Sequence, residues 1–261
     1  MQLSGTHALI TGASHGIGVE IAREFAARGA RLTLLGRDKD RLAAVADELG
    51  ARAVVADLSD PDRLRRLIAE VEAGHGPLDV LVNNAALTAV SPAQQAEFGD
   101  ARLLMDVNAV APMELCRAVL PGMLARRRGH LVNISTLAAV SAVPELALYG
   151  ASKAALHHYT SVLQRDLKGT GVRTTLATFG EVAGTHMMEQ ARQSARIAAV
   201  SRRLARVLPV LTPADVARQL TAAVQRDARV VTIPRRLSGA IMIRNLPSTL
   251  QDLVFLGIKP S

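Results

Sequence analysis

The segment YGASK places a phenol, Tyr149, and a primary amine, Lys153, four positions apart. Both residue types are scarce here, for the chain holds two tyrosines and four lysines and otherwise draws its positive charge from arginine. On a helix, residues at i and i+4 project from one face. An unperturbed phenol, with a pKa of about 10, exchanges its proton poorly at neutral pH. A neighbouring ammonium favours the phenolate and brings the group toward acid–base use. Lysine suits this role better than arginine, because its compact head also hydrogen-bonds hydroxyls such as those of ribose. In isolation the same spacing fits a tyrosine and a lysine on a wet helix face, so its meaning depends on what stands near it.

A second motif lies upstream. TGASHGIG (11–18) follows an apolar run, HALIT (7–11), and opens an amphipathic stretch from Ile17 to Arg28. In such a turn Gly12 permits the tight bend, Gly16 lets a phosphate approach the backbone, and Gly18 lets the helix pack closely on the strand. A pyrophosphate would then sit on the amides of the helix start.

The elements that must hold these two motifs alternate along the chain. Strands are expected at 7–11, 31–36, 52–57, 78–84, 130–135, 172–178 and 228–233. Helices are expected at 17–28, 39–49, 61–73, about 100–127, 149–167, about 186–206 and 213–226. Arg126 to Arg128 read as the last turn of the long helix, where cations oppose the helix dipole. Continuous apolar strands between helices imply a parallel sheet covered on both faces, hence a doubly wound α/β (Rossmann) fold with about seven strands. Ligands in such a fold sit at the carboxyl ends of the strands. Residues 1–233 read as one catalytic domain, and 234–261 as an apolar tail without clear alternation.

Composition narrows the class. With 261 residues and 49% hydrophobic residues the chain can bury a sizeable core. The formal charge of +8 is spread along the chain, and 2% aromatic residues leave little to stack on nucleic acid bases. The lone Cys116, no visible secretory signal and no apolar run of about 18 residues lead us to expect a cytoplasmic, soluble protein. No metal site is expected: His157 and His158 are adjacent, so they face different ways, and Tyr159 reads as packing.

With its glycine turn, NNAA (83–86), Asn108 and YGASK in this order and spacing, the chain resembles the short-chain dehydrogenases/reductases over about residues 5–235. The resemblance implies a nicotinamide dinucleotide held by Gly12, Ser14, His15, Gly16, Ile17 and Gly18. At the end of the second strand, where NAD-dependent enzymes carry an acidic residue, this chain has Gly36 followed by Arg37. That arrangement implies NADP(H), its 2′-phosphate met by Arg37 with Ser14 and His15. Asp57 and Leu58 correspond to the adenine-contacting pair, although Asp57 also fits a turn carboxylate. In NNAA, Asn83 would lock the strand to its neighbours, while Asn84, Ala85 and Ala86 would border the cofactor.

The resemblance further implies a catalytic group of Asn108, Tyr149, Lys153 and a hydroxyl thirteen residues before the tyrosine. That position holds Thr136 where the family has serine, with Ser135 as second choice. Thr136 keeps the hydroxyl but adds a methyl group that restricts χ1. Asn108 is implied to support proton resupply through Lys153. Phe179 replaces a family proline before Gly180, leaving the turn less rigid, and Val182 and Thr185 are implied carboxamide and phosphate contacts. Residues 184–205 resemble a substrate lid whose Met187, Met188, Ile197 and Val200 either line an apolar pocket or form a helix's core face. The tail has three readings: extending the pocket, packing on another subunit, or lying on a membrane. The implied activity is hydride transfer between NADP(H) and a ketone, an aldehyde or the matching alcohol, with a hydrophobic small-molecule substrate and a homodimer or homotetramer. The rival from another class is a non-catalytic NADP-binding sensor on the same fold.

Overall fold

A computed structural model describes residues 1–204 and 210–234. The tail from 235 and the end of the lid at 205 therefore lie outside the described residues. Seven strands form one sheet: β1 (His7–Thr11), β2 (Arg31–Gly36), β3 (Arg52–Val55), β4 (Val80–Asn83), β5 (Gly129–Thr136), β6 (Val172–Phe179) and β7 (Val230–Ile233). Their order is β3-β2-β1-β4-β5-β6-β7, and every pairing is parallel. The helices are α1 (Ile17–Ala26), α2 (Lys39–Leu49), α3 (Pro61–His75), α4 (Asp100–Met105), α5 (Ala111–Ala125), α6 (Ala147–Asp166), α7 (His186–Ala191), α8 (Ala195–Leu204) and α9 (Pro213–Gln225).

Strand periodicity explains why both faces are covered. Ala8 and Ile10 of β1 pack in one core with Phe25 of α1 and Leu220 of α9, while Leu9 packs in the other with Leu67 of α3 and Leu115 of α5. The same alternation sends Val80 and Val82 to the first core and Leu81 to the second. Helix starts follow local chemistry. The Asp60 carboxylate caps α3 by accepting from the amides of Asp62 (2.9 Å) and Arg63 (3.1 Å), with Pro61 in the first turn. The order of connections reverses between β1 and β4, which opens a crevice at their carboxyl ends.

Two expectations need correction. The stretch 100–127 is not one even helix, because residues Asp106–Val110 form a widened π turn between α4 and α5, in which the Ala111 amide bonds the Asp106 carbonyl. Pro112 explains the widening: lacking an N–H, it cannot donate to the carbonyl of Asn108, four residues back. Second, the arginines 126–128 do not continue α5. Arg127 takes a left-handed conformation (φ 51°), and Gly129 already belongs to β5.

A buried histidine at the opposite end of the sheet makes folding pH-dependent. The Thr175 hydroxyl donates to the Ala228 carbonyl (2.6 Å), so it accepts from His130 Nε2 (2.8 Å), leaving Nδ1 without a hydrogen-bond partner among the described residues. Burial pushes His130 down to about 4, and the Asp227 carboxylate offsets this only in part. Unfolding restores an ordinary histidine of pKa about 6.5, so the unfolded chain binds more protons between those values and stability falls as pH drops through them. The expected loss is on the order of 3 kcal/mol between pH 7 and pH 4. Urea midpoints at the two pH values check this: in His130→Gln the difference should shrink, and an unchanged difference would assign the effect to other groups.

Candidate active site

At the first turn the glycines are there for lack of space. A Cβ on Gly12 (φ 68°) would lie 2.8 Å from Ala85 Cα, and one on Gly18 would lie 2.1 Å from the Gly12 carbonyl oxygen. Gly16 (φ 60°) stands at the N-cap of α1, and no side chain caps that helix. The first-turn amides of α1 thus point into the crevice mouth beside a residue that cannot obstruct them, which fits a phosphate. Thr11 ties this turn to the end of β4: its hydroxyl accepts from the amides of Asn84 and Ala85, each at 3.0 Å. Asn84 Nδ2 donates to the carbonyls of Thr11 (2.9 Å) and Gly12 (3.2 Å). Asn83 Nδ2 donates to Asn133 Oδ1 of β5 (2.8 Å), locking neighbouring strands together.

Beyond the turn, Ser14, His15, Gly36, Arg37, Asp57 and Leu58 border the crevice. A Cβ on Gly36 would meet Ser14 Oγ at 3.2 Å, so an acidic side chain there would crowd the serine. Arg41 borders the same end, a residue the sequence reading missed. The available signal was the second arginine of GRDKDR, brought near Arg37 by the first turn of α2. The Asp38 carboxylate caps that turn from the Arg41 amide (3.1 Å) and lies 3.3 Å from Arg41 Nε. Asp57 accepts from the amide and hydroxyl of Ser59, both at 2.8 Å. The Ser59 amide is the main reason its carboxyl sits below the usual range, and the Arg37 charge adds to it.

At the reacting end, α6 presents Tyr149 and Lys153 to the carboxyl end of β5, both buried. The nearby Thr136 hydroxyl draws the pKa of the Tyr149 phenol down, but burial outweighs it and pushes the phenol up to about 12. Lys153 Nζ donates to the Ile134 carbonyl (2.9 Å), and burial lowers its pKa to about 8. In this geometry burial has the largest influence on the Tyr149 phenol, and the hydroxyl beside it is that of Thr136. Ser135 also borders the crevice, but its hydroxyl meets His157 Nδ1 at 3.3 Å, on the buried side of β5. Gly150 permits α6 to approach, since a Cβ would lie 2.8 Å from the Ala138 carbonyl oxygen.

Two of the expected site residues stand behind the crevice wall. Gly18 packs on Gly12, as above. Asn108 is fully buried; its Oδ1 accepts from the Leu87 amide (2.8 Å), and its Nδ2 donates to the Leu87 carbonyl (2.8 Å) and Ser152 Oγ (3.0 Å). Its side chain ties the loop after β4 to α6. Phe179 is buried and paired to Thr136 and Ile233, so strand pairing supplies the rigidity a proline would have given and the turn starts only at Gly180.

Val182 pairs with Leu211, and the Ala183 amide donates to the Leu211 carbonyl (3.0 Å), so α7 and α9 start from adjacent points. The Thr185 hydroxyl caps α7 from the Met188 amide (3.3 Å). Met187, Met188, Ile197 and Val200 all face the crevice, which has a volume of about 870 Å³. One space thus brings together Gly12, Ser14, His15, Gly16, Ile17, Arg37, Asp57, Leu58, Asn84, Ala85, Ala86, Thr136, Tyr149, Lys153, Gly180, Val182 and Thr185. Among the described residues, no helix is long and apolar enough to cross a membrane.

Comparison with known proteins agrees with this geometry. An NADP-dependent 3-hydroxy acid dehydrogenase of Salmonella typhi is 39% identical over 180 residues, 68% of this chain and 73% of that protein. A ketoacyl reductase of Nostoc sp. is 32% identical over 237 residues, 88% of this chain and 79% of that one. The crystal structure of a metagenomic short-chain oxidoreductase in complex with NADP superposes with a TM-score of 0.73 at 33% identity, covering 89% of this chain and 98% of that one. The family model described as short chain dehydrogenase matches residues 6–196, and the chain belongs to the short-chain dehydrogenase/reductase family.

Proposed function

We propose that this oxidoreductase uses NADP(H) to reduce the carbonyl of an apolar ketone or aldehyde. The observation that carries the reading is the buried Tyr149 phenol, with Thr136 and the glycine turn bordering the same crevice. The amides of α1 would hold the pyrophosphate, Ser14, Arg37 and Arg41 the 2′-phosphate, and Lys153 the ribose hydroxyls. The NADP-dependent relative and the NADP-bound structure support that choice. When bound, NADPH supplies a hydride to the substrate carbonyl carbon. The Thr136 hydroxyl donates to the carbonyl oxygen, and Tyr149 gives that oxygen its proton as charge develops on it. A phenol with a pKa of about 12 carries its proton throughout the neutral range, which suits the reductive direction. Lys153 keeps a positive charge beside the site below about pH 8, and Asn108 fixes α6 through Ser152.

The test is NADPH consumption with a panel of apolar carbonyls, followed by the absorbance of the reduced nicotinamide. In Thr136→Ala, kcat is expected to fall by about 10²–10³. Thr136→Ser should retain most turnover and Ser135→Ala should stay within the wild-type order of magnitude. Full turnover in Thr136→Ala with loss in Ser135→Ala would move the hydroxyl role to the neighbouring residue.

A further inference from the structure

Beyond Tyr149 the crevice continues beneath α7 and α8 as an apolar cleft walled by Val143, Leu146, Met187, Met188, Ile197 and Val200. Its charges are unevenly divided. At the nucleotide end the guanidiniums of Arg37 and Arg41 stand beside the carboxylates of Asp38 and Asp57, whereas the lid side of the lining brings two carboxylates, Glu181 and Glu189, and no cation. Glu181 is held in an ion pair by Arg192. Glu189 is exposed on α7 and forms no ion pair among the described residues. Lys153, the cation nearest the reacting atoms, is buried and donates to the Ile134 carbonyl. A substrate carboxylate entering this cleft would exchange water for methionine and aliphatic walls and would face the Glu189 charge. A neutral ester, thioester or ketone of the same length gives up no ionic hydration and gains from the same walls.

We infer that this site selects carbonyl substrates whose non-reacting end is uncharged and apolar, with Glu189 a specificity-determining residue that turns away free carboxylates. The inference rests on the proposed carbonyl reduction and adds to it the sign of the substrate's remote group.

A matched pair of probes tests it: a medium-chain 3-oxo acid and its methyl ester, each assayed for NADPH-dependent reduction and, separately, for binding to the NADP⁺-loaded protein by titration calorimetry. The ester is expected to exceed the acid in kcat/KM by about tenfold or more, and to bind more tightly. Glu189→Lys should shift the acid-to-ester ratio of kcat/KM toward the acid by about fivefold, with Glu189→Gln between it and wild type. An acid reduced or bound as well as the ester overturns the inference while leaving carbonyl reduction in place. Binding that favours the ester, with neither compound reduced, upholds the inference and sinks the reductase reading. Failure of both to bind, or an acid-to-ester ratio that ignores the charge at position 189, overturns the selectivity.

Discussion

Tyr149→Phe is expected to lower kcat for carbonyl reduction by about 10²–10⁴ while leaving the thermal midpoint within a few degrees of wild type. The substitution removes one oxygen and keeps the ring that α6 buries against the end of β5, so the packing that shapes the crevice survives. What disappears is the proton donor beside the Thr136 hydroxyl. Steady-state kinetics with NADPH and any accepted carbonyl, beside a melting curve, separates loss of chemistry from loss of fold. Unchanged turnover would remove Tyr149 from the mechanism and leave the crevice to a nucleotide-binding sensor.

The same residue pair sets the pH behaviour of the wild-type reaction. With its phenol at about 12, Tyr149 does not titrate across the neutral range, so the first nearby group to change charge as pH rises is Lys153, at about 8. Below that value its ammonium is present to hold ribose hydroxyls and to support proton return. Above it the charge is lost, so the rate of reduction declines through about pH 8 in step with Lys153.

How much of this was legible in the chain varies with the physics behind each feature. The bounds of β1, β2 and α2 follow from local signals: apolar runs closed by Gly12 and Gly36, an Asp38 cap, and Gly50 in the left-handed region at the helix end. The reactive residues were legible by type and spacing, because few arrangements place a phenol, an amine and a three-glycine turn at these intervals. The widened turn at Asn108 was not read, though Pro112 four residues later announced it, because a π turn barely disturbs the apolar period of a long helix. The effect of burial on Tyr149 was not legible for a different reason. Burial is set by β5, α6 and the lid together, and no local spacing reveals that it outweighs a neighbouring charge. Arg41 was missed because its relation to Arg37 depends on how α2 leaves β2, which only the fold defines.

Replacing both Arg37 and Arg41 with alanine is expected to lower the ratio of kcat/KM for NADPH over NADH by about 10²–10³, mostly through KM for NADPH. Each guanidinium would make a charge-assisted hydrogen bond to the 2′-phosphate, a contact worth about 1.5–3 kcal/mol, and NADH offers nothing there to lose. The two sites are not equivalent. Arg41 is already engaged by the Asp38 carboxylate, whereas Arg37 makes no ion pair among the described residues and acts on Asp57 only through its charge, so Arg37→Ala alone should account for the larger part. Because these side chains are solvent-exposed, wild-type preference for NADPH should weaken with added salt and the double variant should lose that dependence. Gly36→Asp supplies the converse: a Cβ there already meets Ser14 Oγ at 3.2 Å, so the carboxylate would crowd and repel the phosphate while accepting from a ribose hydroxyl. A cofactor ratio that survives the double substitution would mean that the end of β2 does not choose the nucleotide, and the choice would pass to the serine and histidine of the glycine turn.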